Sequence, residues 1–420
     1  MKVWLRTFGC RANRYDTEAV RAMVEAGGHA IVADAADADV AVFNSCAVTT
    51  DAVADLRQAV RRTARENPAI RSLVMGCASA LAAREALGAL PSVSDVVGGA
   101  DLDSVARALA LHAPVDPVRT RAQSGARGLL RVQDGCDEHC TFCATTIARG
   151  ANRSRSIEAL VDEATALADR HPEIVITGIH IGTYGRDAGS TLGHLMTHLV
   201  ASVPHVRFRL TSIEATEVDA RLLDLMASEP RCLVPQIHAP LQSGSNTVLR
   251  RMGRHWYTAE RYRASIESMA GRLPVFGLGA DVITGFPGER EADHEATLSL
   301  VDALPFTYLH VFPYSARPGT AATRLANPVQ AAVAQRRAKE LRHVGAVKAA
   351  SHAASRVGQI ADVVIVGGGA TRRGLTEDYL EVDLVGADLG RGDRVDVVLG
   401  MRDGKLGGIS PVHSRQVSSR

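Results

Sequence analysis

Apolar positions along the chain recur in two alternating modes. Val3–Phe8 is a short apolar-rich run, and a segment with Val20, Met23, Val24 and Ala26 on one helical face follows it. The pair then repeats. Val40–Phe43 precedes a helix carrying Leu56 and Val60, and Ser72–Met75 precedes an Ala-rich helix over Leu81–Leu90. Val96-Val97 and a helix over Leu102–Leu111 close the unit. Strands alternating with helices predict a parallel, doubly wound sheet over residues 1–112. Pro114 and Pro117, with alternating charges around them, predict a linker at 113–124.

Six further strand–helix units follow in residues 125–354. Their strands are expected at Leu129–Gln133, Ile174–Thr177, Val206–Leu210, Val234–His238, Val275–Val282 and Tyr308–Phe312. Six are too few for an eight-stranded barrel, so the pattern predicts a partial (β/α)6 barrel. A long helical stretch runs from about Pro328 to Ala354. From 355 to 420 the pattern changes to short β-rich runs at Ile360–Val366, Tyr379–Val385 and Arg394–Leu399, separated by Gly-rich turns. That predicts a small C-terminal β-barrel. The fold class is therefore α/β in its first two parts, with a β module at the end.

A chain of 420 residues with 46% hydrophobic and 22% charged residues fits a globular protein of two or three domains. No apolar run reaches the roughly 18–20 residues that span a bilayer, and no signal sequence opens the chain, so a cytoplasmic location is expected. Seven cysteines in that reducing setting are expected to be ligands or nucleophiles, not disulfides. The net charge of only +2 shows no basic excess, and residues 355–420 carry nine basic and nine acidic side chains. Any contact with nucleic acid must come from local patches.

The cysteines carry the chemistry. Cys136, Cys140 and Cys143 form C-x3-C-x2-C just after the first strand of the partial barrel, and ligand sites of parallel α/β folds lie at strand C-terminal ends. Three thiolates with no fourth nearby can hold three irons of a four-iron cluster and leave one iron open. Three zinc ligands plus water is the competing reading. Cys10, Cys46 and Cys77 each stand just past a successive strand of the first sheet, where neighbouring strand ends converge. A second cluster with an open iron is expected there. Cys232 has no such setting and reads as an ordinary apolar residue.

C-x3-C-x2-C with Phe142 before the last cysteine resembles the radical S-adenosylmethionine (SAM) signature. With three upstream cysteines and a β-barrel tail, the whole chain is similar to the methylthiotransferases. The stretches that carry the resemblance are Thr7–Asn13, Asn44–Cys46, Ile176–Gly182, His238–Gly244, Asp281–Glu289 and Phe312–Thr320. Within the family, His310–Ser315 and Gly374–Tyr379 resemble the branch acting on N6-threonylcarbamoyladenosine beside the tRNA anticodon. The branches acting on isopentenyladenosine and on a ribosomal-protein aspartate are the alternatives, and outside the family a non-catalytic zinc protein that binds RNA. After Cys143 the family often carries a Pro-containing stretch; here it reads Ala144 to Gly150 without proline.

The resemblance implies two 4Fe-4S clusters, with SAM as co-substrate on the Cys136/Cys140/Cys143 cluster and a sulfur carried on the Cys10/Cys46/Cys77 cluster. A 5′-deoxyadenosyl radical would take hydrogen from C2 of the adenine, and a methylthio group would replace it. No catalytic residue beyond the six ligands is implied. Phe142, Gly178, Ser212, Glu214, Gly285 and Phe286 are the expected SAM contacts, the C-terminal barrel resembles a TRAM domain, and the partners are tRNA and an electron donor such as flavodoxin or ferredoxin, with a monomeric chain and no membrane. Ser212 and Glu214 also fit helix capping at that turn. Arg149, Arg153 and Arg155, and Arg250, Arg251, Arg254 and His255, form basic clusters suited to tRNA phosphates. His180 and His238 read as satisfied structural histidines.

Overall fold

The computed structural model describes residues 1–46, 50–81, 84–111, 123–369, 371–384, 389–402 and 404–409. Strands β1 (Lys2–Thr7), β2 (Ala30–Ile31), β3 (Val40–Ser45), β4 (Arg71–Gly76) and β5 (Val93–Val96) form one parallel sheet in the order β2-β1-β3-β4-β5. Every residue of β3 is buried, because helices cover both faces. Val42 and Leu73 pack with Val20, Met23 and Val24 on one side; Phe43 and Val74 pack with Leu56 and Val60 on the other. The Ala-rich helix expected over Leu81–Leu90 is shorter: a 3-10 turn at Ala78–Ala80 and a helix at Arg84–Gly88. Gly88 and Pro91 stop it early. Most of the expected linker lies outside the described residues.

The second part holds six parallel strands. They are β6 (Gly128–Arg131), then, after a small antiparallel ribbon of β7 (Gln133–Asp134) with β8 (Arg153–Ser154), β9 (Glu173–Thr177), β10 (Arg207–Leu210), β11 (Gln236–His238), β12 (Gly277–Thr284) and β13 (Tyr308–Pro313). Hydrogen bonding gives two runs, β10-β9-β6 and β11-β12-β13. Single bridges at Phe208–Leu233 and Ser212–His238 join them into one curved wall. Leu130, Ile176, Phe208, Ile237 and Leu278 form its core with apolar residues of the surrounding helices. Each such fully buried side chain contributes about 1.5–3 kcal/mol. The β7–β8 ribbon was not legible in the sequence, since two-residue strands have no periodicity.

Helix Ala331–Ser355 packs along β13 and leads into the tail. There β14 (Ile360–Gly368), β15 (Arg372–Leu375), β16 (Glu381–Leu384), β17 (Arg394–Arg402) and β18 (Lys405–Ile409) close into a barrel in the order β14-β15-β16-β18-β17. Val363, Ile365, Val382, Leu384, Val397 and Leu399 fill it. The apolar pattern predicts three of these strands; β15 and β18 have too few apolar residues to show. Among the described residues, no helix is long and apolar enough to cross a membrane.

Polar contacts lock the three parts together. Glu173, Arg207 and Arg209 are fully buried. Arg207 pairs with Glu173 at 2.5 Å and donates to the carbonyls of Asp362 and, at 3.0 Å, Leu375. Arg209 pairs with Glu173 at 3.0 Å and donates to the carbonyls of Thr376 (2.7 Å) and Glu377 (3.0 Å). Next to them Tyr379, held at φ +74°, stacks on Tyr308 with ring centroids 5.2 Å apart, and its hydroxyl accepts from Arg11 at 2.8 Å. On the other side, helix Arg11–Ala26 docks on the β6 edge: Asp16 pairs with Arg131 (2.5 Å) and Arg149 (2.7 Å), and Tyr15 packs with Leu129 and Val175.

Candidate functional site: two cysteine triads around one cavity

Cys46 and Cys77 directly follow β3 and β4, and Cys10 stands three residues past the end of β1; the three strands are neighbours in the sheet. Two asparagines zip these ends together. Asn13 donates to Asn44 Oδ1 (2.8 Å) and to the Ser45 carbonyl (2.9 Å), while Asn44 donates back to the Asn13 carbonyl (2.7 Å). The Cys10 thiol donates to Asn13 Oδ1 at 3.2 Å. Gly9, at φ +106°, lets Cys46 approach: a Cβ on it would lie 2.8 Å from Cys46 Sγ. Burial pushes the Cys77 thiol above its ordinary pKa, against the pull of the nearby Arg149 guanidinium, which hydrogen-bonds it.

Cys136, Cys140 and Cys143 lie on the loop between β7 and the short helix Thr145–Arg149. The loop is pinned by Cys136 N–H to the Gly150 carbonyl (3.0 Å), Cys143 N–H to the Cys140 carbonyl (3.1 Å) and Thr141 N–H to the Met252 carbonyl (2.8 Å). Cys136 Sγ is 3.7 Å from His180 Nδ1, and Cys140 Sγ is 3.7 Å from Arg254 Nη1. The Cys143 sulfur accepts from the Thr145 backbone N–H at 3.4 Å. Burial pushes the Cys140 thiol up to about 12, although Arg254 pulls it down.

Each triad thus has a buried cation beside a sulfur: Arg149 at Cys77, Arg254 at Cys140, His180 at Cys136. Burial opposes the charge of His180, but its bonds to Cys136 and to Glu217 (2.8 Å) raise its pKa to about 10. Anionic thiolate–metal centres need such partners in a low-dielectric setting. The donor set therefore fits two iron–sulfur clusters. Glu214, paired with Arg254, keeps Oε2 buried with no hydrogen-bond partner among the described residues, an acceptor suited to a ligand hydroxyl.

One cysteine of each triad reaches a cavity of about 440 Å³, lined by Cys77 from the first domain and by Phe142, Cys143, Gln242, Asp281 and Phe312 from the second. Gln242, at φ +59°, is buried with Oε1 unpartnered among the described residues, and so is the Tyr314 hydroxyl on the same wall. Unpartnered buried polar atoms cost free energy unless a ligand meets them.

Other sequence expectations are placed as follows. Phe142 lines the cavity and packs edge-on against Phe286, ring centroids 6.3 Å apart; Phe286 itself is fully buried behind it. A Cβ on Gly178 would meet Gln133 at 2.8 Å, and one on Gly285 would overlap Ala334, so internal packing already explains both glycines. Ser212 bridges to His238, and Glu214 makes no capping bond, which sets the helix-cap alternative aside. Arg149 and Arg254 are buried ion-pair partners, which corrects their reading as phosphate contacts. Arg155 is likewise engaged with Glu163 at 2.7 Å, and Arg251 with the carbonyls of Pro287 and Ala326. Arg153 stays largely exposed. The Cys232 thiol donates to the Pro204 carbonyl at 3.2 Å, far from either triad in the fold. Sequence reasoning missed the roles of His180, Arg254, Arg149, Asn13, Asn44 and Gln242. Both asparagines lie within three residues of a triad cysteine, which was the available signal.

Known proteins match these features. Residues 2–98 match the model described as "Uncharacterized protein family UPF0004", and residues 130–301 match the Radical SAM superfamily. A threonylcarbamoyladenosine tRNA methylthiotransferase MtaB from Aquifex aeolicus is 32% identical, over 91% of this chain and 96% of that protein. One from Bacillus subtilis is 35% identical, over 81% and 79%. A tRNA-2-methylthio-N(6)-dimethylallyladenosine synthase from Chloroherpeton thalassium is 32% identical, over 81% and 79%. Among solved structures, the radical SAM methyltransferase TsrM from Kitasatospora setae superposes with a TM-score of 0.57 at 15% identity, covering 76% of each chain, which is a likeness of fold.

Proposed function

This chain belongs to the radical SAM tRNA methylthiotransferases, and from that premise we propose that its two cysteine triads each hold a 4Fe-4S cluster on either side of a nucleoside pocket. The activity is methylthiolation of threonylcarbamoyladenosine in tRNA, as the names of its relatives state of them, and the proposed position is C2 of the adenine. When bound, the clusters and SAM supply a radical that removes a hydrogen and a methylthio group that replaces it. The chain's own residues bind, orient and enclose. Cys136, Cys140 and Cys143 hold the cluster that takes SAM; Cys10, Cys46 and Cys77 hold the one that carries sulfur. Phe142, Ser212 and Glu214 meet SAM, with Gly178 flanking and with Gly285 and Phe286 packed behind. The division into 1–112, the linker 113–124, 125–354 and 355–420 belongs to the same reading, as do a reductase partner and a cytoplasmic, monomeric state.

One observation carries this: Cys77 and Cys143, from different domains and different triads, line the same cavity. A base held there lies within reach of both centres. The test is anaerobic reconstitution. About eight irons per chain are expected, falling to about four in the Cys10→Ala/Cys46→Ala/Cys77→Ala variant. That variant should still cleave SAM on reduction yet form no methylthio product on tRNA by mass spectrometry. Four irons in the unaltered chain would remove the sulfur-inserting half.

A further inference from the structure

Beneath the cavity, β12 and β13 present three rungs in register: Gly279 beside Tyr308, Asp281 beside His310, and Ile283 beside Phe312. Alternation puts all six on one face. Ile283, Phe312 and Asp281 line the cavity. The lowest rung is closed: the Tyr308 ring fills the space a Cβ on Gly279 would need, and Tyr379 covers it from the tail. The middle rung is the polar floor. Asp281 Oδ1 accepts from His238 Nε2 at 3.0 Å and from His310 Nδ1 at 3.2 Å. His238 Nδ1 is 3.2 Å from the Tyr308 hydroxyl, which donates to it. In the neutral form of each ring, these hydrogen bonds place the proton on the nitrogen that faces Asp281, and the two histidines hold that carboxyl well below its usual range against the effect of burial. His310 is left with a lone pair on Nε2 and no partner for it among the described residues. Its side chain is 54% exposed although it stands on an inward rung.

Relatives at the same 32% identity act on a threonylcarbamoyl and on a dimethylallyl adenosine. The two substituents differ in chemistry. One carries a hydroxyl, a urea N–H and a carboxylate; the other is hydrocarbon. We propose that His310, oriented by Asp281 and His238, is the specificity-determining residue, its Nε2 accepting a hydrogen bond from the O–H or N–H of a polar N6 substituent. This rests on the tRNA-methylthiotransferase reading. A site built to pair a hydroxyl or N–H penalises an analogue lacking it, because a bound hydrocarbon substituent would cover the acceptor and leave it unpaired.

The test compares anticodon stem-loop RNAs carrying threonylcarbamoyladenosine or dimethylallyladenosine, on the reconstituted full chain, by fluorescence anisotropy and by methylthio product. The unaltered chain should favour the threonylcarbamoyl RNA. His310→Phe should lower that preference roughly tenfold, the worth of one hydrogen bond, while His310→Gln, which keeps an acceptor, should retain part of it. Asp281→Asn should act in the same direction as His310→Phe, through orientation. A ratio of affinities is blind to a general loss of folded protein. An unchanged ratio in His310→Phe with product still formed would overturn this inference alone. Product on the dimethylallyl RNA only would overturn it together with the substrate assignment. Product on neither RNA would overturn the proposed function itself.

Discussion

Arg254 stands 3.7 Å from Cys140 Sγ and is itself paired with Glu214. In the sequence it reads as one arginine of an exposed-looking basic loop, Arg250 to His255. Only tertiary burial turns it into a neighbour of a triad sulfur. The same holds for Arg149 at Cys77. The six cysteines were legible because spacing and strand-end position are local properties; their counter-charges were not, because pairing is set by contacts 44 to 114 residues apart. Arg254→Gln should lower the midpoint potential of the Cys136/Cys140/Cys143 cluster by about 50 mV or more, since removing a buried cation disfavours the added electron. EPR-monitored redox titration measures it. Asn44→Ala should strip the Asn13 amide of one of its two acceptors and the Asn13 carbonyl of its side-chain donor, and cost about 1–3 kcal/mol locally. Iron analysis should show the loss confined to the Cys10/Cys46/Cys77 triad.

Strand β10 reads Arg-Phe-Arg-Leu, and alternation alone would turn its arginines to water. The structure turns them inward, onto Glu173 and the tail carbonyls. The strand was legible; its polar inner face was not, because the tail that satisfies it lies some 150 residues downstream. Glu173→Gln should destabilise the chain by about 3–5 kcal/mol, since it strands two buried guanidiniums. The pH dependence follows in sign. Burial opposes ionisation of Glu173, but Arg207, Arg209 and Arg127 outweigh it and hold its pKa well below the usual glutamate range. Its folded pKa is depressed, so its contribution is complete above the ordinary glutamate pKa and fades as pH falls below that value. Denaturant unfolding at pH 7 and near pH 4 should show a slope in the unaltered chain that Glu173→Gln flattens.

Across the whole molecule, Asp16 is the point where the first domain grips the second, through Arg131 and Arg149. Asp16→Ala leaves both guanidiniums sharing Asp134, 3.4 Å from each, as their counter-charge. Calorimetry should then resolve two unfolding transitions where the unaltered chain shows one. The parallel sheet, the partial barrel and the β module could be read from apolar periodicity, whereas the way they grip each other could not, because it is made of buried charges that no periodicity marks.

Arg149 ends as a strut. It bonds Asp16, touches Cys77 and belongs to the helix that follows Cys143. The two walls of the cavity are braced by one side chain, so they cannot part without breaking a buried ion pair. On the proposed function, motion would then come from the guest. The base would unstack from its own loop and swing in while the ribose–phosphate strand stays outside. Exchange of product for substrate would be paced by the stiffness of the RNA loop, and loops of weaker stacking should turn over faster on an unchanged protein.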